Sequence, residues 1–187
     1  MRKLLSISLA VIAISTLVFS QEGFRIKTRS AAELFAAQRR VIGEWCRQDY
    51  VGARLSPDGW DRLKPLATFR QNPDFHSIVI VSRYQVPPRE ESSWNVDVKY
   101  WIVGRYERGL GYSSENNTEV VTFKTRDVDG DIVINEIDPA APHVSKRAAI
   151  DWMKRQLDAP DTSDVDKVYL RRALTTLEAP EPQPSSK

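Results

Sequence analysis

Two short stretches and one strand hold the side chains that could move a proton. In GEWCRQDYVGARL, Asp49 is followed directly by Tyr50 and a little later by Arg54. Tyr84 stands in VSRYQV, and Asp97 and Tyr100 in NVDVKYWIV. A carboxylate in an apolar pocket has its pKa raised, and with a phenol opposite it suits proton abstraction beside a carbonyl. Asp49, Tyr50 and Asp97 are the candidate catalytic residues for that chemistry. Tyr50, Arg54, Tyr84 and Tyr100 are the candidate ligand-pocket residues. A purely structural assignment competes with this one: Asp49 caps a helix end or pairs with Arg54, and the tyrosines pack as amphipathic core. Spacing singles out neither acid.

Other reactive types are sparse. Cys46 is the sole cysteine and falls among helical apolar positions beside Trp45, where a small buried hydrophobe is expected. His76 and His143 both stand beside turn residues, which predicts exposed side chains, and nothing near them has zinc-ligand spacing. Asp127, Asp129 and Asp131 alternate in RDVDGDIVI. Gly130 there precedes the third acid and Asp138 takes the twelfth position, so a hairpin turn is expected and not a calcium loop. Gly-x-Ser-x-Gly is absent, and GLGYSSENN precedes a strand and not a helix N-terminus. No cofactor and no metal is expected.

These residues need elements to position them. Leu34, Phe35, Val41, Ile42, Trp45, Cys46, Tyr50 and Ala53 recur at helical spacing, which predicts one long helix from Ser30 to about Leu55, opened by a Ser30/Glu33 capping box. A short helix follows in SPDGWDRLKPL, with Trp60 and Leu63 buried, closed by Pro65 and RQNPDF. HSIVIVSRYQV reads as a strand. In SWNVDVKYWIVGRY, Trp94, Val96, Val98, Tyr100 and Ile102 share one face, and Asn95, Asp97, Lys99, Trp101 and Val103 the other. A soft loop is expected over 109–117, then two strands around Asp129-Gly130. Two helices finish the chain. The first carries Ala149, Trp152, Met153 and Leu157, and the second, opened by Ser163, carries Val165, Val168, Tyr169 and Leu177. Helices and strands kept apart in this way argue an α+β fold. The expected architecture is a curved four-stranded antiparallel sheet around a long N-terminal helix, with a C-terminal helical hairpin.

Three stretches resemble the nuclear transport factor 2-like superfamily: the helix end RQDYVGARLSPDGWDRL, the alternating strand VDVKYWIVGRY, and the hairpin FKTRDVDGDIVI. In the last, Ile132 stands where that superfamily usually has an aromatic. The resemblance spans roughly residues 30–138 and implies a cone, a strongly curved sheet wrapped on a long helix. It implies a cavity and no particular chemistry, because the superfamily includes isomerases, dehydratases, cyclases, transport and scaffold proteins. The C-terminal helices are an addition that the family pattern does not require.

The chain opens MRKLLSISLAVIAISTLVFSQEG. A basic start, an apolar run and small residues before Gln21 predict a signal peptide cleaved near Ser20, with a periplasmic or secreted product. The organisation expected is signal peptide 1–20, linker 21–29, cone domain 30–140, helical extension 141–178 and disordered tail 179–187. Cleavage removes two of the 27 basic residues and none of the 25 acids. The formal positive charge therefore belongs to the leader, and nothing global attracts nucleic acid or, after cleavage, a membrane. Five tryptophans are many for one small domain. Trp101, on the strand face away from the helix, suggests either cover by the helical hairpin or a homodimer through the outer sheet face. The expected function is binding of a small apolar molecule or service as an assembly module. The alternative is a cofactor-free isomerase or dehydratase that uses Asp49 or Asp97 with a tyrosine.

Overall fold

The computed structural model describes residues 29–69, 75–86, 88 and 93–179. The expected signal peptide, nearly all of the linker 21–29, the turn 70–74 and the tail beyond residue 179 lie outside the described residues.

The first helix, α1 (Ala31–Tyr50), begins at a complete capping box. Ser30 Oγ accepts from Glu33 N–H at 3.2 Å, and Glu33 Oε2 accepts from Ser30 N–H at 2.9 Å. Two of the amides that every helix start leaves orphaned are thereby satisfied. The helix ends five residues before Leu55. Gly52 takes the left-handed conformation (φ 86°), which stops the helix and turns the chain into a 3-10 turn over Ala53–Leu55. A Cβ at Gly52 would lie 3.1 Å from the Ala148 side chain, so both the turn and the packing favour glycine there. The short helix α2 (Pro57–Leu63) follows at once, with Ser56 as its cap and Pro57 in its first turn.

Five strands form one curled sheet in the order β4-β3-β2-β1-β5. They are β1 (Ser77–Gln85), β2 (Asn95–Glu107), β3 (Gly111–Val128), β4 (Asp131–Asp138) and β5 (His143–Ser145). The first four make the expected antiparallel meander. The fifth was not expected: it pairs parallel to β1, with Val79 opposite His143 and Val81 opposite Ser145, so the sheet is mixed. The β3–β4 turn is the expected hairpin, with positive φ at Asp129 and Gly130, as a two-residue turn of the favoured hand requires.

The expected loop over 109–117 is also corrected. A tight turn at Glu107–Leu110 leads straight into β3, whose first residues pack Tyr112 on the outer core and pair Glu115 with Arg105.

The sheet separates two cores. On the inner face, Val41, Ile42, Trp45 and Cys46 of α1 and Leu63 of α2 pack on Val79, Val96, Val98, Tyr100, Phe123 and Ile134. On the outer face, Ile78, Ile80, Tyr106 and Val144 meet the hairpin of α3 (Lys146–Asp158) and α4 (Asp164–Glu178). Each such side chain contributes about 1.5–3 kcal/mol on burial.

Register shifts near Val81–Arg83 of β1 and Ile102–Gly104 of β2 change which parity faces in. Thus Val79 and Val81 face the inner core and so does Tyr84, while Tyr106 has crossed to the outer core, as bulges permit. At Gly104 a Cβ would fall 2.3 Å from the Tyr112 ring, so the ring's close seat on the strand depends on glycine.

Two packing expectations change. The buried face of α4 is Leu170, Ala173, Leu174 and Leu177, not the stripe through Val165 and Val168, which are 64% and 44% exposed. Trp94 is 47% exposed just before β2 instead of packing with Val96. Trp101 lies under Arg83 and Lys99, whose charged groups stand 4.1 and 5.2 Å from its ring centroid. The α3–α4 hairpin covers the other half of that face.

Candidate functional site

The turn at Gly52 folds Arg54 back onto the last turn of α1. Its guanidinium forks onto Asp49, with Nε to Oδ1 at 2.8 Å and the terminal nitrogen to Oδ2 at 2.6 Å. Both side chains are buried, 5% and 1% exposed. Arg54 also donates to the Ala140 and Ala141 carbonyls, at 2.7 Å each, and the His143 amide donates to Asp49 Oδ2 at 3.0 Å. The pair therefore clamps the β4–β5 connection. Two buried charges are tolerable only with such geometry and extra hydrogen bonds. Asp49 is the ion-pair partner that the structural assignment described, and three donors occupy its oxygens.

The ring of His143 lies one step further along the inner face. It is buried and not exposed as expected, because β5 carries it under the sheet edge and the Tyr100 ring stacks on it at 4.3 Å. Nδ1 is 2.8 Å from the Ala141 carbonyl. A carbonyl only accepts, so Nδ1 carries a proton. Nε2 faces Glu119 Oε2 at 3.2 Å. Arg105 spans Glu115 and Glu119 at 3.4 and 3.5 Å. The hydrogen bond from His143 holds the Glu119 carboxyl below its ordinary range against the opposing effect of burial.

The named tyrosines form a ladder leading to this histidine. Tyr50 and Tyr84 stand 6.0 Å apart and Tyr84 and Tyr100 5.9 Å apart. Tyr50 donates to the Ser82 carbonyl, and the Tyr100 hydroxyl meets Cys46 Sγ at 3.1 Å. Burial pushes the Cys46 thiol up to about 12 and the Tyr100 phenol well above its usual range, so both stay protonated and inert at neutral pH. Asp97 does not join them. It sits between Val96 and Val98, whose side chains enter the inner core, and so projects from the outer face, where Thr122 Oγ1 donates to it at 2.9 Å. The expected set around one cavity therefore splits, with the phenols inside and Asp97 outside. His76 is exposed as expected. Among the described residues, no three of His, Cys, Asp and Glu converge as a metal site.

A groove of about 550 Å³ opens where the two cores meet, between α2 and α3. Its apolar walls come from Leu55, Pro57 and Trp60 around α2, from Phe75 ahead of β1, and from Trp152 of α3. Arg54, Lys64, Asp61 and Arg108 supply its charges. Of the pocket residues named from sequence, Arg54 lines this groove, whereas Tyr50, Tyr84 and Tyr100 do not. Phe75, Arg108 and Trp152 escaped sequence reasoning because they are far apart in the chain. The one local hint was a tryptophan in each of two helices that pack on opposite sheet faces. Compared with known proteins, the chain matches no family model, no curated protein and no solved structure.

Proposed function

We propose that this chain is an exported binding protein for a small apolar molecule, held in the groove between α2 and α3. One observation carries the reading: a concavity of about 550 Å³ with three aromatic side chains in its wall. That volume lies in the range of small-molecule sites, which are largely apolar with a few polar groups. The occupied oxygens of Asp49 and the buried, protonated Tyr100 favour binding over proton-transfer chemistry. Export rests on the basic, apolar and small-residue pattern of the first 20 residues. The resemblance to the nuclear transport factor 2-like superfamily supports a cone-shaped reading of the domain, with the helical hairpin as an addition and the groove at its junction with the cone.

Trp60 and Trp152 report on the site directly. Titrating the mature protein with 2-methylnaphthalene should shift tryptophan emission saturably at one equivalent. Trp152→Ala should weaken binding about tenfold, a loss of about 1.4 kcal/mol. A linear, non-saturating response of the folded wild-type protein both to this hydrocarbon and to its carboxylate analogue, 2-naphthoate, would overturn the binding reading.

A further inference from the structure

We infer that the groove selects an anionic amphiphile, a planar apolar body bearing a carboxylate or sulfonate, over a neutral or cationic molecule of the same shape. This inference rests on the binding reading above and adds the charge of the ligand to it.

The groove wall carries three bases, Arg54, Lys64 and Arg108, and one acid, Asp61. The counterion of Arg54 is Asp49, which is buried and does not line the groove. Lys64 pairs with Asp61 at 2.5 Å, with both side chains more than 60% exposed. Such an exposed pair is worth little and exchanges readily for a better partner. Arg108 is exposed at the rim, and its own amide is anchored to the His76 carbonyl at 2.9 Å, which fixes where its side chain starts. The local balance is thus cationic at the mouth and aromatic in the wall.

A flat ring lying against Trp60, Phe75 and Trp152 would place an anionic substituent near Arg108 and Lys64. There it gains charge-assisted hydrogen bonds. A neutral analogue gains only the apolar burial, and a cationic one meets repulsion from both heads.

Three probes with one ring system separate the terms: 2-naphthoate, 2-methylnaphthalene and 2-naphthylmethylammonium, titrated by tryptophan fluorescence at about 0.02 M and about 1 M salt. The expected order at low salt is naphthoate about tenfold tighter than methylnaphthalene, with the ammonium weakest, as one charge-assisted bond implies. High salt should compress that order. Arg108→Gln should lower naphthoate affinity about fivefold and methylnaphthalene affinity by clearly less, with Lys64→Gln as a second exposed variant acting the same way. Equal affinities for naphthoate and methylnaphthalene would overturn the anion preference and leave the binding reading standing. Saturable binding by none of the three would overturn both.

Discussion

The two faces of the sheet solve the same packing problem differently. The outer face, under α3 and α4, is a nearly uniform apolar layer of Ile78, Ile80, Val144, Met153, Leu170 and Leu174. The inner face has an equally buried apolar floor, yet it admits Gln38, Asp49, Arg54, Thr125 and His143 below 5% exposure. Each of these has partners. Gln38, for example, donates to the Ser93 carbonyl at 2.7 Å and to Thr125 at 2.8 Å. The outer layer is held by area, which is forgiving of direction. The inner one is held in addition by bonds that fix which loop sits where, because buried polar groups are costly unless paired.

That contrast can be broken from the inside first. Arg54→Ala strands the Asp49 carboxylate and frees two carbonyls of the β4–β5 connection. Loss of about 3–5 kcal/mol in urea unfolding is expected, against which a change under 1 kcal/mol would show that the pair is incidental. Adding Asp49→Leu to make the double variant should recover only part of the loss, since the Ala140 and Ala141 carbonyls and the His143 amide remain without their partners. Leu170→Ala tests the outer layer, where burial at 2% exposure implies about 2–4 kcal/mol from lost transfer and cavity. A Leu170→Met cost as large as that of Leu170→Ala would show that the outer layer is also held by direction and erase the distinction between the faces.

The smallest effect sharpens the comparison by pH. The groups facing Glu119 are His143, Arg105 and, through Arg105, Glu115. Its folded pKa lies below its ordinary 4.5, so the unfolded chain takes up the proton first as pH falls. The stabilisation is therefore complete above about pH 4.5 and is lost as pH drops through the folded value. Glu119→Gln should cost about 1 kcal/mol near pH 6, and its stability curve should converge with the wild type in acid. Parallel curves down to about pH 3 would remove Glu119 from the account.

Much of the frame was legible because its signals are local. Ser30 and Glu33, Asp129-Gly130, Ser163 and the alternation of Val96, Val98 and Tyr100 each state their geometry within a few residues. Three features were not. A three-residue strand such as His143–Ser145 is too short to show a period, so His143 looked like a turn residue. The register shifts at Ser82 and Val103 reverse a parity that the sequence reads as unbroken. The groove joins residues of α2, the ends of β1 and β2, and α3, a proximity that only the completed fold creates. Asp49 and Arg54 were close enough in sequence to be paired in advance. Their hold on the Ala140 and Ala141 carbonyls was not, since it spans 86 and 87 residues.

The parallel strand β5 has a consequence for the chain as it is made. Ile78–Val81 is a run of four buried β-branched residues on the strand that would otherwise end the sheet. An unpaired edge of that composition is a template for other chains. Synthesis delivers all four other strands before His143–Ser145, so a nascent or cut chain that stops short of those three residues would present an adhesive border. When they arrive, β5 closes the border, and the clamp from α1 keeps it closed.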